Sequence, residues 1–248
     1  MIKKILKWIA IATAALIAIA VIGIWAMDEK VPAGEEGPAA EALADKMMTA
    51  VNCAAWDTVG AVSWDFGGRQ QHIWDKKRHF AQVKWGKDMM ALVNINERSG
   101  KAYKNGEELS GEEAAEAVDA AWKMWVNDAY WLNAPCKVKD PGTSRYLVKG
   151  EDGSESLLVK YSTGGATPGD QYLWEIDDNG MPTAYSMWVS ILPIGGISFS
   201  WEGWTEHQGA KLSSIHEGAF TLVLDQIKTA DDPAELAGGS DPFAAIEN

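Results

Sequence analysis

From Thr58 onward the chain adopts a hydrophobic period of two and keeps it through roughly ten or eleven short segments. Val62, Trp64 and Phe66 alternate with Ser63 and Asp65, and similar runs follow at 70–76, 78–85 and 88–96. After one helical interruption they resume at 144–149, 155–161, 171–177, 183–191, 197–204, 211–217 and 220–227. The breaks "FGGR", "DKKR", "WGKD" and "ERSG" carry the residues of tight hairpin turns, so the strands are antiparallel neighbours. So many antiparallel strands cannot stay flat, because strand twist curls the sheet and leaves it with a concave face.

Two amphipathic segments are available to cover that face. The first, 39–55, places Leu43, Met47, Val51 and Ala54 at helical spacing. The second opens on "SGEE", Ser110 to Glu113, which reads as a capping box. Val118, Ala121, Trp122, Trp125, Val126 and Ala129 then form its apolar stripe, with Glu116, Asp119 and Lys123 turned away. The expected fold is α+β: a curled antiparallel sheet, an unclosed half-barrel of about ten or eleven strands, covered by two helices.

Ahead of this domain, Lys3, Lys4 and Lys7 precede an uncharged run over 8–27, about the length needed to cross a bilayer. The run is too long for the apolar part of a typical signal peptide, so it is expected to remain as a single-pass transmembrane helix. Basic residues before it, and Asp28, Glu29, Glu35 and Glu36 after it, put the domain outside the cytoplasm. In a bacterium this is the periplasmic side of the inner membrane. The expected organisation is therefore a stub and anchor at 1–27, a linker at 28–38, the half-barrel at 39–230 and a disordered tail at 231–248.

A formal net charge of −13 repels phosphate backbones and makes nucleic acid a poor partner. The two cysteines, Cys53 and Cys136, both follow the anchor, where disulfides persist; they are read either as a bridge or as two buried thiols. His72, His79, His207 and His216 show no metal-ligand spacing, and no Gly-x-Ser-x-Gly elbow, P-loop or dinucleotide fingerprint is present. Neither a metal nor a cofactor is expected, and the reading is non-enzymatic.

The order of elements resembles that of the LolA/LolB-like outer-membrane lipoprotein carrier superfamily over roughly 39–227. Two stretches, "NDAYWLNAPCKVKDPG" at 127–142 and "TPGDQYLWEID" at 167–177, resemble a group of exported bacterial proteins for which they mark no known chemistry. Asn127, Asp128, Tyr130, Trp131, Leu132, Pro135, Lys137, Asp140 and Gly142 match that group's pattern. Cys136 departs from it where a bulky apolar residue is expected, which favours the bridge to Cys53. The superfamily resemblance implies a hydrophobic cavity for acyl chains between sheet and helices, although a tether over 8–27 argues against a freely diffusing shuttle.

The 127–142 stretch itself reads as a structural corner. Pro135 stops the helix, Lys137 is placed to pair with Asp128, and Asp140-Pro141-Gly142 turns the chain into the next strand. The residues expected to line the cavity are Trp64, Val83, Trp85, Val93, Val118, Trp122, Trp125, Trp174, Met187, Phe199 and Trp201. The leading expectation is a periplasmic lipid or lipoprotein acyl-chain binder. The alternatives are a closed-core interaction module for cell-envelope partners and glycan stacking on Trp188 or Trp204. The apolar turn "SILPIGG" is read as an ordinary hairpin or, alternatively, a contact with membrane or cavity mouth.

Overall fold

The computed structural model describes residues 28–163 and 167–247, with isolated positions at 8, 13 and 23. The expected anchor therefore lies outside the described residues. Among those described, no helix is long and apolar enough to cross a membrane.

The first strands follow the period-two reading closely. β1 (Ala61–Phe66), β2 (Gln70–Asp75), β3 (Phe80–Trp85) and β4 (Met89–Asn94) pair in sequence. β5 (Ser99–Lys104) and the short β6 (Glu107–Glu108) extend this sheet, an addition the sequence reading did not include. In β5 only Ala102 is buried, so it carries no apolar alternation. Gly100 marks the cause, since a Cβ there would collide with the backbone carbonyl of Leu92.

A second sheet contains β7 (Thr143–Lys149), β8 (Glu155–Tyr161), β9 (Gln171–Ile176), β10 (Pro182–Trp188) and β11 (Ile197–Ser200), in the order β11-β10-β9-β8-β7. β12 (Thr205–His207) and β13 (Ala210–Leu212) form a separate hairpin, so the segments expected at 197–204 and 211–217 are each interrupted. β14 (Ile215–Glu217) and β15 (Thr221–Ala230) return to β1 and complete an eight-stranded sheet. Isolated bridges Phe199–Gly218 and Glu202–Ile215 join β11 to β14. The two sheets thus meet in a curled wall whose ends, β6 and β7, are not paired with each other among the described residues.

The first amphipathic segment is two helices. α1 (Pro38–Ala50) buries Ala40, Ala44 and Met47 against β7 and β8. Asn52 then takes a left-handed conformation (φ 58°), and its side chain accepts the Ala55 N–H, starting α2 (Cys53–Thr58). The break turns Ala54 to solvent, against expectation.

α3 (Gly111–Asn133) runs on into a 3-10 turn at Ala134–Lys137. Ser110 is its N-cap residue, but the Ser side chain makes no capping hydrogen bond, so the expected box is not formed. Cys53 and Cys136 are joined by a disulfide with an S–S distance of 2.05 Å.

Both ends of the domain depart from expectation. Segment 28–36 is a strap: Glu29 N–H donates to Gly195 O at 3.2 Å, and Glu35 exchanges backbone bonds with Leu147 of β7 at 2.9 Å. The C-terminal stretch is packed. Asp232 caps α4 (Pro233–Leu236), Phe243 is fully buried, and Arg78 reaches Asp241 and Glu247, each at 2.8 Å. A "GGSDP" composition suggests a free tail, but one buried phenylalanine beside Phe80 and one arginine clamp suffice to hold it.

The bridge spans a sequence separation of 83 residues, for which the chain-entropy relation gives about 4.5 kcal/mol. Cys53→Ala/Cys136→Ala protein is expected to lose roughly 2–5 kcal/mol in urea denaturation. An unchanged midpoint would mean that the corner is held without the bridge.

Candidate functional site

The concave face carries two aromatic clusters, and α3 lies along both. In the eight-stranded half, Trp64, Val83 and Val93 of β1, β3 and β4 belong to the same buried core as Val118, Trp122 and Trp125 of α3, which lies over β3 to β5; all six are buried. Trp125 packs edge-on against Trp74 at 5.1 Å between ring centroids. Trp122 donates its indole N–H to Ile95 O at 3.0 Å, with the Arg98 guanidinium 3.7 Å over its ring. Trp85 is half-buried at the edge of this group.

In the five-stranded half, Trp174, Phe199 and Trp201 are buried inward-facing residues, and Met187 is half-buried beside them. Tyr172, Tyr185 and His216 complete this cluster and were missed by the sequence reading. Trp131, assigned to the structural corner, reaches into the middle of it. Its ring lies 5.4 Å from Tyr185, 5.1 Å from Phe199 and 5.2 Å from His216. Tyr130 packs against Tyr172 at 4.7 Å. The expected lining residues therefore pack on one another and on α3, which fills the space an open cavity would need.

The two tryptophans offered for sugar stacking are not free platforms. Trp204 donates to Trp201 O at 3.0 Å and packs on the core, while Trp188 donates to Glu29 O at 2.7 Å.

The chamber is poorly satisfied by its own polar atoms. The indole nitrogens of Trp64, Trp74, Trp125, Trp174 and Trp201 and the Tyr185 hydroxyl find no hydrogen-bond partner among the described residues. Gln70 Oε1, His72 Nδ1, His216 Nε2 and the Tyr130 hydroxyl are likewise unpartnered; an indole nitrogen can only donate, so the five indoles leave donors outnumbering acceptors among these atoms. Burial pushes the Tyr130 and Tyr185 hydroxyl pKa values well above the ordinary phenol range, so both stay protonated.

The corner pairs differently from expectation. Asp128 accepts from His72 Nε2 at 2.7 Å, with both side chains almost fully buried, and its other oxygen accepts from Asn127 Nδ2 at 2.9 Å. The His72 ring stacks on Trp64 at 4.4 Å. Lys137, expected to pair with Asp128, lies 3.7 Å from Asp140 instead. Burial raises the Asp140 pKa, and Lys137 partly opposes that shift. The reason is directional: residue 128 is on the helix face turned toward β2, whereas Lys137 lies beyond the 3-10 turn that redirects the chain. Pro135 is buried in that turn, and Gly142, at φ 85°, closes against Thr163 with no room for a Cβ. Among the described residues, no group of three or more His, Cys, Asp or Glu could hold a metal ion.

No protein-family model matches the sequence, and no curated protein matches it. Solved structures similar in their chain course include a DUF1329 family protein from Desulfovibrio piger, at 10% identity and a TM-score of 0.40, covering 77% of this chain and 92% of that one. A putative outer membrane lipoprotein-sorting protein domain from Vibrio parahaemolyticus is similar at 7% identity and a TM-score of 0.32, covering 75% of this chain and 93% of that one. Both similarities are weak and carry no part of the functional argument.

Two outcomes are expected from this geometry. Asp128→Ala leaves His72 buried without its partner and should lower stability by about 1–3 kcal/mol; an unchanged urea midpoint would show that the pair does not hold α3 to β2. His216 is held neutral because burial lowers its pKa from 6.5 to about 4. An unfolded chain would take up that proton first as pH falls, so stability is lost between about pH 6.5 and 4, by up to about 3 kcal/mol. His216→Leu should remove this component of the pH profile, measured as the difference from the parent protein.

Proposed function

We propose that this protein is a membrane-tethered binder of acyl chains, holding a lipid or the chains of a lipoprotein non-covalently beneath α3. The surplus of buried donors in an otherwise apolar, aromatic chamber carries the reading. Each such group left without a partner costs about 1–3 kcal/mol. Acyl esters offer the complementary chemistry: long apolar chains with carbonyl oxygens that only accept. In this reading the uncharged run 8–27 is the tether and the domain lies on the periplasmic side of a bacterial inner membrane.

Trp131 plugs the five-stranded cluster, so a ligand has to displace it. An aromatic side chain buries about 150–250 Å² at ~25 cal/mol per Å², or about 4–6 kcal/mol. At ~0.8 kcal/mol per methylene, about five to eight buried CH₂ groups offset that loss. A few more are needed against the entropy lost on association, so chains of ten or so carbons and longer should bind, and shorter ones should not.

The second reading is an interaction module for cell-envelope proteins with a permanently closed core. It is favoured by the near-complete burial of Trp64, Val93, Trp174 and Phe199. The discriminating experiment is native mass spectrometry of the purified full chain, with lipid extraction, followed by titration with monoacylglycerols of increasing chain length. A co-purifying lipid, or uptake that begins near ten carbons and strengthens in Trp131→Ala, supports the acyl-chain reading. An apo mass with no uptake at any length would leave the closed module.

A further inference from the structure

The first described residues of the domain are fastened to one loop. Gly195 N–H donates to Asp28 Oδ1 at 2.9 Å, Glu29 N–H donates to Gly195 O at 3.2 Å, and the Trp188 indole donates to Glu29 O at 2.7 Å. The loop is shaped for this contact: a Cβ at Gly195 would collide with the Trp188 ring, and one at Gly196 would come within 2.6 Å of Glu29 Cβ. The turn between β10 and β11 and the start of the domain therefore form one structural unit.

That same turn is the most exposed apolar point of the domain. Ile191 is 73% exposed and Leu192 37%; Phe220 is the other large hydrophobic residue exposed among described residues 28–247. Residues 190–196, Ser-Ile-Leu-Pro-Ile-Gly-Gly, contain no charge. The uncharged run 8–27 ends one residue before Asp28, and one residue spans about 3.4 Å of extended chain. If 8–27 crosses a bilayer, the loop cannot stand away from the surface at which the run emerges.

We infer that the β10–β11 turn is a membrane-docking tip that inserts Ile191 and Leu192 into the interfacial region of the bilayer from which the chain emerges. The inference rests on the tether in the proposed function and goes further in orienting the domain. Trp188 sits beside the tip, where an indole with an apolar body and a polar N–H is at home. Asp28 and Glu29 lie in the same unit and carry two negative charges, so a zwitterionic surface fits this tip better than a strongly anionic one. Inward from the tip, Val189, Met187 and Ile197 are half-buried and packed on the core, and the next residues on that face are Tyr185 and Phe199. An unbroken apolar track thus leads from the tip to the cluster that Trp131 fills.

The test uses the full chain in phosphatidylcholine nanodiscs. Its two native cysteines are bridged, so a nitroxide can be placed singly by Leu192→Cys, by Ile191→Cys as an independent reading, and by Lys87→Cys in an exposed turn of the eight-stranded sheet. The expected result is a several-fold higher ratio of oxygen to nickel-chelate accessibility at 191 and 192 than at 87. A chain retained on the nanodisc with water-like labels at 191 and 192 overturns the docking tip and leaves the tether standing. A chain that does not stay with the nanodisc overturns both. Shielding accompanied by spin–spin broadening between labels identifies a second copy as the occupant and likewise overturns the proposal.

Discussion

A long antiparallel sheet twists until its ends turn toward each other, and whatever occupies the concavity must then be apolar on several sides at once. Here that occupant is α3. Its first four turns set Val118, Trp122 and Trp125 on β3 to β5, while Tyr130 and Trp131, in its last turns, enter the five-stranded cluster. One helix therefore serves as the core of two sheets, and the bridges between β11 and β14 keep those sheets in register around it. The His72–Asp128 pair and the disulfide fix where along the wall the helix lies.

The strands whose inner faces meet this helix were the legible part of the sequence. Burial on one face imposes a period of two, which β1 and β9 keep, whereas β3, β4 and β8 bury three residues in a row and were legible as short apolar runs between turns. β5 escaped because its inward positions are Gly100, Ala102 and Lys104, where side chains are small or leave for solvent. The apolar stripe of α3 shows in the sequence as an amphipathic cover, but its aromatic C-terminal turns read there as a corner. A linear pattern does not show that Tyr130 and Trp131 lie against Tyr172, Tyr185 and Phe199, which follow some 40 to 70 residues later. The same limit explains the Asp128 partner: Lys137 was near in sequence and His72 was near in space.

The chamber also sets packing against hydrogen bonding. Trp174 meets Tyr185 and Trp201 edge to face at 5.1 and 4.9 Å, and the Tyr185 and Trp201 rings are tilted at 5.7 Å, a geometry that satisfies their rings. It leaves their N–H and O–H groups without a hydrogen-bond partner among the described residues. A core selected only for stability would put phenylalanine or leucine at such places, so the donors set these residues apart from ordinary packing. The His216 ring is half-satisfied: its Nδ1 donates to Ser200 O at 3.1 Å, while its Nε2 finds no partner among the described residues.

The disulfide gives α3 the mechanics of a lever with its fulcrum at one end. Cys136 lies just past the last helical turn, and the helix extends about 35 Å from there to Gly111 at ~1.5 Å per residue. A rotation of about 10° about that end would carry Gly111 roughly 6 Å but Trp131 only about 1 Å. The stretch over β3 to β5 therefore has leverage that Trp131 lacks. Any swing of the helix vents the eight-stranded half long before it uncovers Tyr185 and Phe199, which leaves the Met187–Ile197 side as the short way in.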